Sequence, residues 1–515
     1  MGFTQILIVP PAGSSETCLE TVMDGVRTGR RHASSVVSRA PLFEALVGYA
    51  ARATVSLHTP VHRGVAGPPG LEKLLTALGL ACDLPSLAET DDWFSPRGCI
   101  AEAQHLAAEL YHAGQTYFLT NGSTSGVHAM LLAATSPGDT VLLSRSSHVS
   151  AYSGLVLSGA VPVYLPTRWH DAAGPLPHTP EEIEEALCRD PSVRAVFLTA
   201  PSYYGLSRSL GPIAAICRRH GALLLVDEAH GSHLRFMEPS APRSAIESGA
   251  DLVVHNTFKS IGALVGTGLL HRSADSVLSE QRVRAALNVL QTTSTNYLLL
   301  ASIDLARRWM AESGTALFTK AVTRGAALRS RLDTIRKIKV LSPTLNPEFL
   351  EFSADPLRLV IDVSRLGRSG FAVGRALEHR FGIACEMEDT RNVVFVLGHD
   401  DSDETYGRLE HALLALAAES SGGSGAEPQI RAVPLAPIVM TPRATASRTS
   451  ARVSLAAANN RVCAEVLAAY PPGIPLIGPG ERFTREIIAT LRKIVADGAP
   501  MFASDPALRE VLVVS

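Results

Sequence analysis

Ala222-Leu-Leu-Leu-Val-Asp-Glu-Ala-His-Gly-Ser-His233, followed downstream by Leu252-Val-Val-His-Asn-Thr-Phe-Lys259, sets a repeating theme. Each is a short apolar run, too short for a buried helix, that ends abruptly in residues able to carry chemistry. Such runs read as buried strands. The pattern recurs upstream at Tyr117–Thr120, Thr140–Leu143, Val161–Leu165 and Val193–Leu198. Between these runs, Ser125–Ala134, Ser150–Ser158, Pro180–Leu187 and Leu210–His220 have helical periodicity. Alternation of strand and helix implies an α/β core, a mostly parallel sheet with helices on both faces. In such sheets ligands sit at the carboxyl ends of the strands. The residues just after each run are therefore the ones to read for function.

Downstream, Leu357–Val363 and Val393–Leu397 alternate with helical stretches at Gly370–Phe381 and Glu404–Glu419, which suggests a smaller α+β domain. Ser420-Ser-Gly-Gly-Ser-Gly-Ala-Glu427 reads as a flexible linker. Beyond it lie the rigid turns Tyr470-Pro-Pro-Gly-Ile-Pro475 and Pro479-Gly-Glu481, then an amphipathic helix from Arg482 to Ala496. The expected division is an N-terminal segment (1–70), a large domain (71–305), a small domain (306–419), a linker (420–432) and a C-terminal segment (433–515).

The chain has 515 residues, 46% hydrophobic and 19% charged, an ordinary globular balance that argues against disorder. Its formal net charge of −2 supplies no global field for nucleic acid. Seven scattered cysteines, with no C-x-x-C pair, form neither a disulfide framework nor a zinc ribbon, and point to a reducing compartment such as the cytoplasm. No apolar run is long enough to span a membrane. Arg27, Arg30, Arg31 and Arg39 among serines leave targeting to a plastid or other organelle as the alternative, although Glu16, Glu20 and Asp24 lie in the same stretch.

Asn121-Gly-Ser-Thr-Ser-Gly126 follows a strand and opens a helix, so backbone N–H groups and hydroxyls converge where a phosphate would bind. A plain N-cap is the simpler alternative. Thr124 at the centre of Gly122–Gly126 excludes a serine-hydrolase elbow, and this loop has no G-x-G for a dinucleotide fingerprint. Asp-Glu-Ala-His resembles a nucleotide-hydrolysis box, but the chain has no G-x-x-x-x-G-K-[ST] loop. His230 and His233 lack a third ligand at metal-binding spacing, so no metal is expected. A buried acid such as Asp227 needs a cationic partner. Lys259 follows a strand one strand-helix-strand unit later, although lysines at strand ends are more often solvated. An acid, an amine and a phosphate loop opening onto one cleft suit pyridoxal 5'-phosphate: the lysine forms the Schiff base, the acid keeps the pyridine nitrogen protonated and the loop holds the phosphate.

With these residues assembled, the chain resembles the fold-type-I, pyridoxal-phosphate-dependent Orn/Lys/Arg decarboxylases, in particular their short, single-module branch found in bacteria and plants. The resemblance runs from about residue 54 to 515. It rests on His58-Thr-Pro-Val-His-Arg-Gly64, Thr90-Asp-Asp-Trp-Phe-Ser-Pro-Arg-Gly98, Ile100-Ala-Glu-Ala-Gln104, Gly122-Ser-Thr124, Ser147-His-Val-Ser150, Leu157-Ser-Gly-Ala-Val-Pro-Val-Tyr164, Asp227–His233, Thr292–Ser302 and Tyr470–Pro475. It implies an aspartate-aminotransferase-like large domain and decarboxylation of arginine, lysine or ornithine to a polyamine-pathway amine. By the same resemblance Lys259 carries the cofactor, Asp227 pairs with the ring nitrogen, His148 stacks on the ring and His230 lies beside it. Ser123, Thr124 and Asn256 hold the phosphate, Thr292 of the partner subunit completes that cup, and the assembly is at least a homodimer.

The chain also departs from the family. Asn256-Thr-Phe-Lys259 stands where the family reads Ser-Thr-His-Lys, Val61 and Val149 replace a glycine and a lysine, Thr295-Asn296 alters the stretch after Thr-Thr, and Ala444 replaces an acid after Pro-Arg. Phe258 can neither give nor take a proton. These changes keep two alternatives open: the same cofactor with other Cα chemistry (transamination or oxidative deamination), or a non-catalytic regulatory homologue. A cationic substrate requires a distal carboxylate, for which Asp91, Asp92, Glu386 and Glu388 are the candidates.

Overall fold

The computed structural model describes residues 55–62, 67–75, 83–87, 90–238, 241–343, 345–420 and 435–515. Most of the expected N-terminal segment, its basic residues and the Gly/Ser linker lie outside them. Residues 56–515 form one compact unit.

The core is a seven-stranded sheet. In chain order its elements are β1 (Gln115–Leu119), α1 (Gly122–Ala134), β2 (Thr140–Ser144), α2 (Val149–Ser158), β3 (Val161–Leu165), α3 (Pro180–Arg189), β4 (Val193–Thr199), α4 (Gly211–Arg219), β5 (Leu223–Asp227), β6 (Leu252–Asn256) and β7 (Gly268–Arg272). The spatial order is β1-β7-β6-β5-β4-β2-β3. β7 runs antiparallel to both its neighbours and the other pairings are parallel. The interior strands β5 and β6 are buried at every position, as continuous apolar runs in a doubly covered sheet should be.

Local chemistry explains the helix ends. α3 starts with a capping box, Thr179 with Glu182, and a proline in its first turn. α2 ends at Gly159 in the left-handed conformation. Gly126 lets α1 lie against the sheet, because a Cβ there would stand 2.4 Å from a methyl of Val254 on β6.

α5 (Tyr297–Leu332) is a single 36-residue helix. It crosses position 305/306, so the boundary expected there is a change of packing partners along one helix and not a break in the chain. The small domain is an antiparallel sheet of β8 (Lys339–Leu341), β9 (Arg358–Asp362), β10 (Met387–Glu388) and β11 (Asn392–Val396), with α6 (Gly370–Phe381) and α7 (Asp403–Glu419). After residue 435 come β12 (Ser450–Ser454), β13 (Leu467–Ala469), β14 (Ile474–Ile477), α8 (Arg485–Ala496) and β15 (Glu510–Val514), around a core that includes Leu476, Phe483, Ile487, Leu491 and Val513. α8 starts three residues later than the periodicity indicates, because Thr484 turns back to cap it through Ile487 N–H.

Candidate active site

Four carboxyl ends of the sheet converge on one cleft. β1 leads through Asn121 into α1, β2 through Ser146 and His148 into α2, β5 ends on Asp227, and β6 ends on Asn256 before a single helical turn that carries Lys259. Ser123, His148, Asp227, His230 and Lys259 line the same cavity, with Tyr203 on another side. Pro472 and Ile474 close it from the C-terminal segment. That closure is tight: Val149 N–H donates to the Gly473 carbonyl at 2.9 Å.

Burial shapes the titration of every group in the cleft. It pushes the Asp227 carboxyl above its ordinary range. Among the described residues Asp227 has no cation within ion-pair distance, and its hydrogen bond comes from the Ala229 N–H at 3.1 Å. Burial also pulls the Lys259 amine down, with Arg358 acting in the same direction and Glu386 and Asp227 opposing it. His148 is pulled down to about 4 by burial and by the neighbouring Lys259. Its Nδ1 accepts from the Ser150 N–H at 3.2 Å, which fixes the ring as the cap of α2.

The expected phosphate seat is at the start of α1. The Asn121 side chain does not cap this helix and the Gly122 N–H is given to the Gly266 carbonyl at 2.7 Å, so it is the N–H groups that follow, from Ser123 on, that face an anion. Asn256 Nδ2 lies 3.4 Å from Ser123 Oγ. Gly268 makes the seat shallow enough to use, since a Cβ there would be 3.3 Å from the Ser123 nitrogen. A buried carboxylate without a cation, an amine of lowered pKa and an uncapped helix start together match the pyridinium nitrogen, aldehyde and phosphate of pyridoxal phosphate. The residues present fit that group. Thr124 and Thr292 are both exposed and line no part of this cavity. Phe258 is half-buried and also lies outside it.

The four candidate acids separate cleanly. The Asp91 carboxylate accepts from the N–H groups of Asp92, Arg97, Gly98 and Ile100, and so organises the start of the helix Cys99–Leu110. Asp92 accepts from Phe94 N–H in the same exposed turn. Glu388 accepts from the Cys385 thiol at 2.8 Å and packs on Gly374. These three are engaged in local structure. Glu386 differs: it accepts from Thr59 N–H at 2.9 Å and from the hydroxyl of cavity-lining Tyr203 at 3.2 Å, and its charge acts on Lys259.

Sequence reasoning missed Tyr203 and Arg358. Tyr203 stacks edge-on against His230, with ring centres 4.7 Å apart, and Arg358 donates to the same histidine. Neither carries a spacing signal. An arginine opening a strand reads as a solvated charge until the small domain folds over the cleft.

The doubly wound sheet with a lysine, an acid and a phosphate seat at its carboxyl edge defines the class: this is the fold of the fold-type-I pyridoxal-phosphate enzymes. Serine palmitoyltransferase of Sphingomonas wittichii superposes with a TM-score of 0.55 at 19% identity, over 71% of this chain and 88% of that one. Lysine decarboxylase A of Pseudomonas aeruginosa superposes with a TM-score of 0.71 at 20% identity, over 92% of this chain and 80% of that one. Residues 40–405 match the Orn/Lys/Arg decarboxylase major domain and residues 431–501 match its C-terminal domain, and the chain belongs to that family. It is similar to the arginine decarboxylase of Bacillus subtilis (strain 168), 33% identical over 90% of this chain and 94% of that protein.

Proposed function

We propose that the protein uses pyridoxal phosphate to decarboxylate a cationic L-amino acid, with arginine the leading candidate, to a polyamine-pathway amine. The observation that carries this reading is the buried Asp227 in one cleft with Lys259, with Glu386 tied to the cleft wall through the Tyr203 hydroxyl. The names of the relatives favour it over transamination or a regulatory role. Bound in the cleft, the cofactor supplies the electron sink for the pair left when CO₂ departs.

The protein's own residues do the rest. With the cofactor bound, the start of α1, Ser123 and Asn256 would hold its phosphate, Asp227 would pair with its ring nitrogen, His148 would pack against its ring, and Lys259 would hold its aldehyde end and supply the proton that Cα takes up. Glu386 receives the distal cation of the substrate, and Tyr203 holds that carboxylate in place. Thr292, exposed on its loop, fits a role in the phosphate cup of a second copy, and a homodimer is part of the proposal. So is the cytoplasm, to which the free cysteines among the described residues are suited. No helix among those residues is long and apolar enough to cross a membrane.

The test is product analysis by mass spectrometry after the loaded protein meets L-arginine, L-lysine, L-ornithine and neutral amino acids. One amine with equimolar CO₂ is expected, and a Lys259→Ala variant should lack both the product and the visible absorbance of bound cofactor. A keto acid would overturn the reading. Glu386→Gln should raise KM for the cationic substrate roughly tenfold to hundredfold, the loss of one charge-assisted hydrogen bond, with kcat much less affected. An unchanged KM would remove Glu386 from substrate binding.

A further inference from the structure

Arg358 opens β9, is only 5% exposed, and stands with Nη2 2.7 Å from Nδ1 of His230. The other imidazole nitrogen, Nε2, is 2.9 Å from Lys259 Nζ. A guanidinium has only donors, so in the first contact Nδ1 accepts. A neutral imidazole that accepts at Nδ1 carries its proton on Nε2. That proton points at Lys259 Nζ, 2.9 Å away, and burial favours the unprotonated amine, whose lone pair can accept it. The three groups thus form one directed chain of hydrogen bonds.

A second proton has nowhere to go on this ring. The charged and titratable groups that face it are Lys259, Arg358, His148 and His233, with the Tyr203 ring alongside, and His233 is itself engaged by Asp355 at 2.9 Å. Burial and the adjacent Arg358 guanidinium hold the imidazole well below its ordinary pKa. A proton arriving at Nδ1 would meet the guanidinium head on.

The backbone is shaped to deliver this arginine. A Cβ on Gly205, which has φ of +86°, would lie 2.6 Å from the Arg358 Cβ, so only glycine admits the side chain there. Arg329 Nη2 donates to the Arg358 carbonyl at 2.9 Å. Among the described residues the Arg358 Nε and Nη1 are buried without a hydrogen-bond partner, a poor arrangement for a residue that merely fills space.

We propose that Arg358 is the positioning residue of this site: it locks His230 as the Nε2–H tautomer, a fixed donor toward Lys259, and so excludes His230 as the acid or base that handles the proton at Cα. Lys259 is left as the proton carrier, in a chain where Phe258 replaces the adjacent histidine of the family. This assignment rests on the decarboxylase reading for its catalytic meaning, but the tautomer itself does not.

The test uses the unloaded full-length protein with ¹⁵N-labelled histidine, the His230 signals being identified by their loss in His230→Asn. The parent should show the Nε2–H tautomer without titrating between about pH 5 and 8. In Arg358→Met the signals should become a tautomer mixture that titrates nearer the ordinary histidine range, and Arg358→Lys, which keeps a donor, should restore the parent pattern. In the loaded enzyme Arg358→Met should lower kcat roughly tenfold to hundredfold, the size typical of a group that orients another ligand, with KM nearly unchanged. An unaltered His230 spectrum in Arg358→Met, or a loss confined to KM, would overturn the proposal; the second result would make Arg358 a carboxylate-binding group. If no amino acid is decarboxylated by any form, the functional reading fails while the spectra still decide the tautomer.

Discussion

An Asp227→Asn enzyme supplied with pyridoxal phosphate is expected to turn over about 10²–10³ times more slowly than the parent, the loss usual when a preorganised charge is removed from an active site. The same substitution should make the unloaded protein more stable at neutral pH. Burial raises the folded-state pKa of Asp227, and the hydrogen bond from Ala229 does not offset that. For an acid whose folded pKa lies above its unfolded value, the unfolded chain binds fewer protons in the interval between the two. Stability therefore falls as pH rises through that interval, and the deficit is fully present above the folded pKa. Asparagine carries no charge and has no such deficit. Its stability advantage should be greatest at neutral pH and vanish on acidification below the unfolded carboxylate pKa. Thermal melts of both unloaded proteins across that range, with steady-state kinetics of the loaded forms, measure the two effects separately. Equal melting at neutral pH would mean that Asp227 is satisfied without the cofactor, and the argument that it awaits a cation would fail.

That opposition between stability and chemistry explains what the sequence discloses. Buried strands read from continuous apolar runs, and an acid such as Asp227 or an amine such as Lys259 at the end of one stands out because burial makes it costly. Most strands of the large sheet, the helices between them and the group Ser123, Asp227 and Lys259 are legible on that logic, whereas His148 and His230 enter only through the resemblance to the family. β7 is not, because Gly268 and its glycine-rich approach read as loop, whereas the glycine is there because a Cβ would stand 2.8 Å from the His255 carbonyl of β6 and 3.3 Å from the Ser123 nitrogen. The length of α5 is hidden as well: one buried stripe runs its whole length, from Leu300 to Leu332, but Ala306, Gly314, Ala321 and Gly325 dilute its apolar contrast, so it does not stand out as a single long helix. The acid proposed to meet the substrate is one of four by composition, and separating Glu386 from Asp91 needs the hydrogen bonds that tie Asp91 to its own helix start. Arg358 and Tyr203 reach the cleft only when the chain folds over itself, and local pattern carries no trace of that.

The largest stability effect should come from Arg145→Met, which is expected to cost about 3–5 kcal/mol. Arg145 sits between β2 and His148, 1% exposed, and its Nη1 donates to both Glu481 carboxylate oxygens at 2.9 and 3.0 Å and to Tyr152 at 3.1 Å. Nη2 donates to the Leu476 carbonyl at 2.8 Å, so one guanidinium ties the C-terminal segment to the wall of the site. Burial pushes the Glu481 carboxyl up in spite of the neighbouring arginine, which means that desolvation outweighs their attraction. A pair in that state contributes little by itself, but removing one partner leaves the other buried and uncompensated. Arg145→Met combined with Glu481→Met should therefore recover most of what the single change loses, because the orphaned carboxylate is gone. Urea unfolding of the parent, both single variants and the double variant completes the cycle. Hydrogen exchange at Gly473 and Ile474 should rise most in the single variants, since their cover over His148 hangs on this pair. Equal losses in single and double variants would show that the pair stabilises through its own attraction, and the account of the C-terminal segment as clamped by a charge that must not be left alone would be wrong.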